Sequence, residues 1–132
     1  MEDCIFCKIV AGEIPSHKIY ESENILAFLD AFPLSTGHSL VIPKKHVETL
    51  PDIDDIVLYE LITITKKIAK ILDCNNYNIL QNNGKLAYQA IKHAHFHIIP
   101  KTDDEGLKLE WVPKKEPKGL EELANKLRNN IN

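Results

Sequence analysis

The sequence predicts an α+β fold, with a mainly antiparallel five-stranded sheet, one long central helix and a C-terminal helix. Short segments rich in apolar and β-branched residues lie in both halves of the chain. A long amphipathic segment separates the two groups. Strands that cluster on either side of one helix, instead of alternating with helices, favour antiparallel pairing.

The strand predictions rest on short apolar runs bounded by turn residues. Glu23 and Asn24 form the turn between the first two strands, and residues 31–37 form a loop that contains Pro33 and Gly37. A second polar loop runs from Asn82 to Gln89. The predicted strands are residues 17–21, 24–30, 38–43, 77–81 and 91–99.

The central helix is predicted from apolar residues that recur at spacings of three and four. Asp52 precedes this pattern and is the predicted N-cap. Residues 120–131 form the predicted C-terminal helix. The apolar face of the central helix comprises Ile53, Ile56, Val57, Leu61, Ile64, Ile68, Ile71 and Leu72.

Length and composition point to a single domain, residues 1–132, of a soluble intracellular protein. A formal net charge of -3 argues against a dedicated nucleic-acid-binding protein. The chain has neither an apolar run of about 20 residues nor a secretory signal pattern, so we expect no membrane association and a cytoplasmic location. Three cysteines in a reducing compartment are free thiols or metal ligands.

Three histidines, His93, His95 and His97, alternate with apolar residues. In a strand they would share one face, about 6.5–7 Å apart, with the apolar residues in the core. Imidazoles on one face can ligate a metal, or they can handle phosphate, with one as nucleophile and a second, protonated one offsetting the charge. The residues alone leave both uses open.

The N-terminal segment carries Cys4 and Cys7 in a Cys-x-x-Cys pair, which suits half of a tetrahedral zinc site. A redox motif of the thioredoxin type needs a preceding strand, and this pair lies too near the N-terminus to have one. A zinc site is therefore the favoured interpretation, with two ligands supplied from elsewhere.

Long stretches of the chain resemble the histidine triad (HIT) family. The segment QAIKHAHFHIIP, Gln89 to Pro100, is similar to the family signature of three alternating histidines preceded by glutamine. FLDAFPLSTGHSLVIPKKH, Phe28 to His46, resembles the nucleoside-binding segment, and CIFCKIVAGEIPSHKIYE, Cys4 to Glu21, resembles the start of the Cys-x-x-Cys branch, which is similar to histidine triad nucleotide-binding proteins. QNNG and WVPK, beginning at Gln81 and Trp111, also fit.

The resemblance implies a two-layer HIT fold that forms a homodimer and binds purine nucleoside monophosphate derivatives. It implies a hydrolase that cleaves nucleoside 5'-phosphoramidates or related esters and anhydrides. In that chemistry His95 attacks the α-phosphorus and forms a covalent nucleotidyl-histidine, which water then hydrolyses. The chemistry itself needs no metal.

The resemblance also assigns roles to five further residues. His97 holds a phosphate oxygen and neutralises charge in the transition state, while His38 orients the triad. Asp30 accepts hydrogen bonds from the ribose hydroxyls. Asn82 and Gln89 contact the phosphate or the leaving group.

By the same resemblance, Cys4, Cys7, His46 and His93 bind a structural zinc ion. Two other functions stay open. The chain could be a nucleotide-binding or scaffold protein with weak catalysis, or a metallohydrolase that uses all three triad histidines on one catalytic zinc. Loss of activity on brief EDTA treatment would single out the metallohydrolase.

The sequence departs from the family pattern at three positions. Ala90 stands where a small polar residue is common, Tyr88 where glycine is common, and Lys92 where an apolar or aromatic residue is usual. These differences leave the nucleophile intact and bear on substrate preference.

Overall fold

The computed structural model of the chain describes residues 3–115 and 117–132. Two short 3₁₀ turns, Leu50–Asp52 and Lys85–Ala87, lie in loops. In chain order, the helices and strands are α1 (Ile5–Val10), β1 (Lys18–Glu21), β2 (Ile25–Leu29), β3 (Ser39–Pro43), α2 (Asp55–Ile71), β4 (Tyr77–Leu80), β5 (Phe96–Pro100) and α3 (Leu120–Asn130).

The five strands form one antiparallel sheet in the order β1-β2-β3-β5-β4. The predicted α+β class and antiparallel sheet are therefore confirmed. β3 lies at the centre, and all five of its residues are buried. Because β5 pairs with β3 rather than with β4 alone, the C-terminal half of the chain completes the sheet begun by the N-terminal half.

Helix α2 covers one face of the sheet with the predicted apolar stripe. Leu61, Ile64 and Ile68 are buried against residues of β2, β3 and β5. The prediction was wrong for Ile56 and Ile71, which are 76% and 70% exposed. Ile56 lies five residues before Leu61 and is therefore rotated by about 140° from it, away from the sheet.

The predicted N-cap of α2 was also wrong. Asp52 belongs to the 3₁₀ turn, where its carboxylate accepts hydrogen bonds from the Thr49 N–H (3.2 Å) and hydroxyl (2.9 Å). Asp54 is the N-cap, although its side chain makes no capping hydrogen bond. Asp52 is not available to cap α2 because its carboxylate is already bonded to Thr49 in the 3₁₀ turn, and the N-cap lies two residues later, at Asp54.

Helix α1 packs on the opposite face of the sheet and was not predicted from the sequence. Its buried residues, Phe6 and Ile9, form a second core cluster with Leu26, Phe28, Leu40 and Ile42 of β2 and β3. The Cys4 Sγ accepts a hydrogen bond from the Cys7 N–H at 3.3 Å and caps the helix. The Cys-x-x-Cys pair therefore occupies the first turn of a helix that is fixed to the sheet.

The predicted strand at residues 91–99 is regular only from Phe96. The paired register of β3 and β5 ends at Val41 and Phe96. Pro43 has no N–H to extend that ladder, and the Ala94 N–H instead donates to the Val47 carbonyl at 2.8 Å. The predicted alternation of histidines and apolar residues still holds, because Ala94 and Phe96 both pack in the core between α2 and the sheet.

Helix α3 confirms the predicted C-terminal helix and has no buried residue. Its leucines, Leu120, Leu123 and Leu127, are all more than half exposed. In the described part of the chain, residues 3–115 and 117–132, every helix falls short of the length and apolar character needed to cross a membrane.

Candidate active site and metal cluster

The triad histidines lie on the face of the sheet opposite α2. His97 of β5 is paired with Leu40 of β3 on one side and Leu80 of β4 on the other. Leu40 belongs to the core cluster beneath α1, so the His97 side chain faces the same side as α1. The site is thus formed where the face covered by α1 opens towards β4.

His95 is held in one tautomer by the backbone. Its Nδ1 lies 2.6 Å from the carbonyl oxygen of His93, and a carbonyl can only accept. The proton of neutral His95 is therefore on Nδ1, and Nε2 carries a free lone pair. The edge of the Phe6 ring packs against the imidazole at a centroid distance of 4.9 Å. Only 6% of His95 is exposed.

A second hydrogen-bond chain fixes the tautomers of His38 and His97. The Leu34 N–H donates to Nδ1 of His38 at 3.0 Å, which places the His38 proton on Nε2. That Nε2 lies 2.9 Å from Nδ1 of His97 and donates to it. The proton of neutral His97 is consequently on its own Nε2, so His97 presents a hydrogen-bond donor.

Burial keeps these imidazoles neutral. Desolvation, followed by the nearby His95 and His38 rings, lowers the pKa of His97 from 6.5 to about 4. Desolvation also lowers the pKa of His95 and that of His38, although the Asp30 carboxylate partly opposes it. At pH 7 the lowered pKa values favour the neutral form of these three histidines in the ligand-free site.

The four residues assigned to the metal lie together, with one ligand atom from each within 4.8 Å of the others. Cys4 Sγ is 3.4 Å and Cys7 Sγ 3.6 Å from Nδ1 of His93, and Cys7 Sγ is 3.3 Å from Nδ1 of His46. Nitrogen and sulfur ligands of a tetrahedral ion lie about 3.3–3.8 Å apart. The donor set and spacing therefore fit such an ion.

The protonation states of this cluster also fit a cation. Nε2 of His93 donates to the Pro43 carbonyl at 2.7 Å, which leaves Nδ1 unprotonated beside the two sulfurs. Burial and the adjacent Cys4 raise the pKa of the Cys7 thiol, because a second thiolate is disfavoured without a positive charge nearby. A bound cation would remove that penalty for both cysteines.

Asp30 and Asn82 lie on opposite sides of the triad strand. Asp30 follows β2, where Oδ1 accepts from the Phe32 N–H at 2.9 Å and Oδ2 is 3.5 Å from Nε2 of His38. Asn82 follows β4 and donates from Nδ2 to the Tyr88 carbonyl at 3.3 Å. Asp30 is thus connected to the triad through His38, and Asn82 is bonded to the loop that precedes the triad strand.

The amide of Gln89 is engaged within the loop. Oε1 accepts from the Gly84 N–H at 2.7 Å and Nε2 donates to the Glu48 carbonyl at 2.6 Å. The residue is 7% exposed. These two hydrogen bonds attach the loop to the segment after β3.

The sequence did not reveal three residues that orient the histidines. Phe6 packs on His95, and the backbone groups of Leu34 and Pro43 fix His38 and His93. The two apolar residues between the cysteines, Ile5 and Phe6, were a usable signal that this segment packs on the core. The two backbone contacts carry no signal in the sequence because any residue supplies the same atoms.

The family model for the HIT domain matches residues 11–104 of the chain. The adenosine 5'-monophosphoramidase of Schizosaccharomyces pombe is 45% identical over 131 residues, which covers 95% of this chain and 98% of that protein. These matches include β1 to β5 and the loop that carries Asn82 and Gln89.

Two solved structures are similar to the fold. A histidine triad nucleotide-binding protein from Candida albicans has a TM-score of 0.89 at 40% identity and covers 98% of this chain and 97% of its own. A zinc-bound histidine triad family protein from Mycobacterium smegmatis has a TM-score of 0.73 at 36% identity, and the match covers 86% of this chain and 85% of that one.

The tautomers and the low pKa of His97 can be tested by NMR of the imidazole nitrogens in ligand-free protein. A lowered pKa means that the neutral form persists as the pH falls, so we expect His97 to stay neutral until about pH 4, with its proton on Nε2. Histidines of the urea-unfolded chain are the reference. A His97 that titrates near 6.5 would contradict the pKa lowered by burial, and a proton on Nδ1 would contradict the hydrogen-bond assignment.

Proposed function

Because the chain belongs to the HIT family, we propose that it is a purine nucleotide-binding hydrolase acting on nucleoside 5'-monophosphate derivatives, phosphoramidates above all. The reaction passes through a covalent nucleotidyl-His95 intermediate. The observation that carries this proposal is the 2.6 Å hydrogen bond from His95 Nδ1 to the His93 carbonyl, which leaves Nε2 free to attack. The similarity to the Schizosaccharomyces pombe adenosine 5'-monophosphoramidase supports the substrate class.

In the first step, Nε2 of His95 attacks the α-phosphorus while the phosphorus–nitrogen bond to the leaving group breaks, and the amine takes a proton from solvent as it departs. The imidazole is uncharged at neutral pH because burial lowers its pKa, so no proton has to be removed first. Water then cleaves the new phosphorus–nitrogen bond and releases the nucleoside monophosphate. Splitting the reaction replaces one difficult displacement with two easier ones.

His97 and His38 act together on the phosphate. His97 donates from Nε2 to a phosphoryl oxygen, and the hydrogen bond from His38 holds the His97 ring in the required tautomer. The donor is neutral in the ligand-free protein, and negative charge that develops on the phosphate strengthens this hydrogen bond. His38 is a positioning residue because it reaches the phosphate only through His97.

Nucleotide binding is assigned to the residues on either side of His97. We place the ribose against Asp30, whose Oδ2 lies beside His38 at the end of β2. Asn82 lies beyond β4 and is assigned to the leaving-group side. Gln89 acts indirectly, by holding the loop.

A nucleotide-binding or scaffold protein with weak catalysis is the alternative. The neutral and oriented His95 favours catalysis over this alternative, because a binding site needs no free lone pair aimed by the backbone. The catalytic-zinc hypothesis loses support because His93 turns its Nδ1 towards the cysteines. The same ring cannot also serve a metal shared with His95 and His97.

We expect His95→Ala to abolish hydrolysis of a fluorogenic adenosine 5'-phosphoramidate, by at least about a thousandfold in kcat, because the covalent step is lost. His17→Ala is the matched control, since His17 is exposed and lies outside the site. Binding of AMP, measured by calorimetry, should persist in both variants. Equal turnover in His95→Ala and wild type would refute the role of His95, and AMP binding without turnover in wild type would favour the binding-protein alternative.

We propose that Cys4, Cys7, His46 and His93 hold a structural zinc ion with all four ligand positions filled. The zinc-bound family member from Mycobacterium smegmatis supports the choice of metal. When bound, the ion joins the N-terminal segment to the start of the triad strand, and its contribution is to stability. Reduced cysteines are required, which supports a cytoplasmic location.

Removal of one thiolate tests the zinc site. We expect Cys7→Ser to lower the zinc content per chain and the melting temperature by at least about 4 °C, while Cys74→Ser leaves both unchanged. Zinc is measured by elemental analysis and unfolding by circular dichroism. One zinc per chain in Cys7→Ser, or prompt loss of activity after EDTA with the fold intact, would contradict a structural site.

We further propose that the whole chain, residues 1–132, forms one HIT domain and that two copies form a homodimer. Ile56 and Tyr59 of α2 are 76% and 68% exposed, and Tyr77 and Ile79 of the edge strand β4 are 43% and 45% exposed. Apolar side chains on a helix and on the outer edge of a sheet are suited to self-association. Such a dimer would bury both groups.

The dimer is tested by the mass in solution. We expect sedimentation to give twice the chain mass of 15.0 kDa for the wild type and a monomer for the double variant Ile56→Lys/Tyr59→Lys. Ile56→Leu keeps the apolar surface and should stay dimeric. A monomeric wild type, or a dimer that survives both lysines, would contradict the proposed interface.

A further inference from the structure

A cavity of about 520 Å³ lies at the carboxyl end of β4, beside the triad strand. Four large apolar side chains line it, Leu80, Tyr88, Leu107 and Leu109. They come from the end of β4, the loop before the triad and the segment after β5. The size is within the range of small-molecule pockets, which are mostly apolar with few polar groups.

The cavity adjoins the reacting centre. Leu80 is the register partner of His97 on the neighbouring strand, so the two side chains stand next to each other on one face. Asp30 and His38 approach His97 from the other side, where β2 ends and β3 begins. Attack at phosphorus requires the incoming and leaving groups to be roughly in line. If Asp30 holds the nucleoside on one side of His97, the leaving group lies on the opposite side, next to β4.

Tyr88 is held in an unusual conformation at the rim of this cavity. Its φ of 64° lies in the left-handed region, which costs a non-glycine residue about 1–2 kcal/mol. Its side chain is 88% exposed, so core packing does not repay that cost. The Asn82 amide donates to the Tyr88 carbonyl at 3.3 Å and fixes the backbone there. A strained residue at such a place points to a contact with a ligand.

We propose that Tyr88, with Leu107 and Leu109, forms a leaving-group subsite that selects amines carrying an aromatic or large apolar substituent. This inference rests on the proposed hydrolase function. The two charged residues that line the cavity, Lys108 and Glu110, have opposite signs, so the subsite favours an uncharged substituent. The Tyr88 ring stacks on the substituent while the leucines cover its other side.

The experiment compares two adenosine 5'-phosphoramidates, with methylamine and with 2-phenylethylamine as leaving groups, so that the nitrogen chemistry is matched. The measured quantity is the ratio of their kcat/KM values. We expect Tyr88→Gly to lower the preference for the aromatic amine roughly threefold to tenfold, and Tyr88→Phe to retain it. Glycine adopts a positive φ without strain, so Tyr88→Gly preserves the fold. Tyr88→Asn also removes the aromatic ring, and asparagine tolerates the left-handed conformation.

Leu86→Ala is the control because Leu86 lies two residues away, is fully exposed and does not line the cavity. It should leave activity and preference unchanged. A preference that survives both Tyr88→Gly and Tyr88→Asn, or a wild type that shows none, would overturn the subsite alone. A wild type that binds AMP but hydrolyses neither substrate would overturn the proposed function and the subsite with it.

Discussion

The hydrogen bond from His95 Nδ1 to the carbonyl of His93 is the interaction on which the site depends. It fixes the tautomer, and therefore the position of the lone pair, of the residue that we assign as nucleophile. The same His93 donates through its own ring to the Pro43 carbonyl and turns its other nitrogen towards the cysteines. One residue thus couples the end of β3, the metal cluster and the nucleophile, and a shift of His93 would disturb all three.

The N-terminal segment completes the site by excluding water. Phe6 lies between the two cysteines, and its ring packs on His93 as well as His95. Burial, to which Phe6 contributes, lowers the pKa of both imidazoles and favours their neutral form. The Cys-x-x-Cys pair and Phe6 therefore lie in one short helix, with the sulfurs beside His93 and the Phe6 ring against His95.

Much of the fold could be predicted from the sequence because its patterns are local. The strand runs, the apolar spacing of α2 and the alternation around the triad placed the sheet, its covering helix and the face of Ala94 and Phe96. What the sequence could not supply depends on contacts between distant segments. Three features depend on residues far away in the sequence, which no local pattern identifies. They are the residue at which β5 begins, the burial of the Gln89 amide and the packing of α1. The exposed Ile56 shows the same limit, since its spacing fits the buried face only loosely.

The stereochemical course at phosphorus tests the central claim most directly. The substrate is a nucleoside phosphoramidate made chiral at phosphorus by sulfur substitution and hydrolysed in ¹⁸O-labelled water. Attack by His95 followed by attack of water gives two in-line displacements, so the account predicts retention of configuration. Inversion would mean that water attacks phosphorus directly in a single displacement, and it would contradict a nucleotidyl-His95 intermediate.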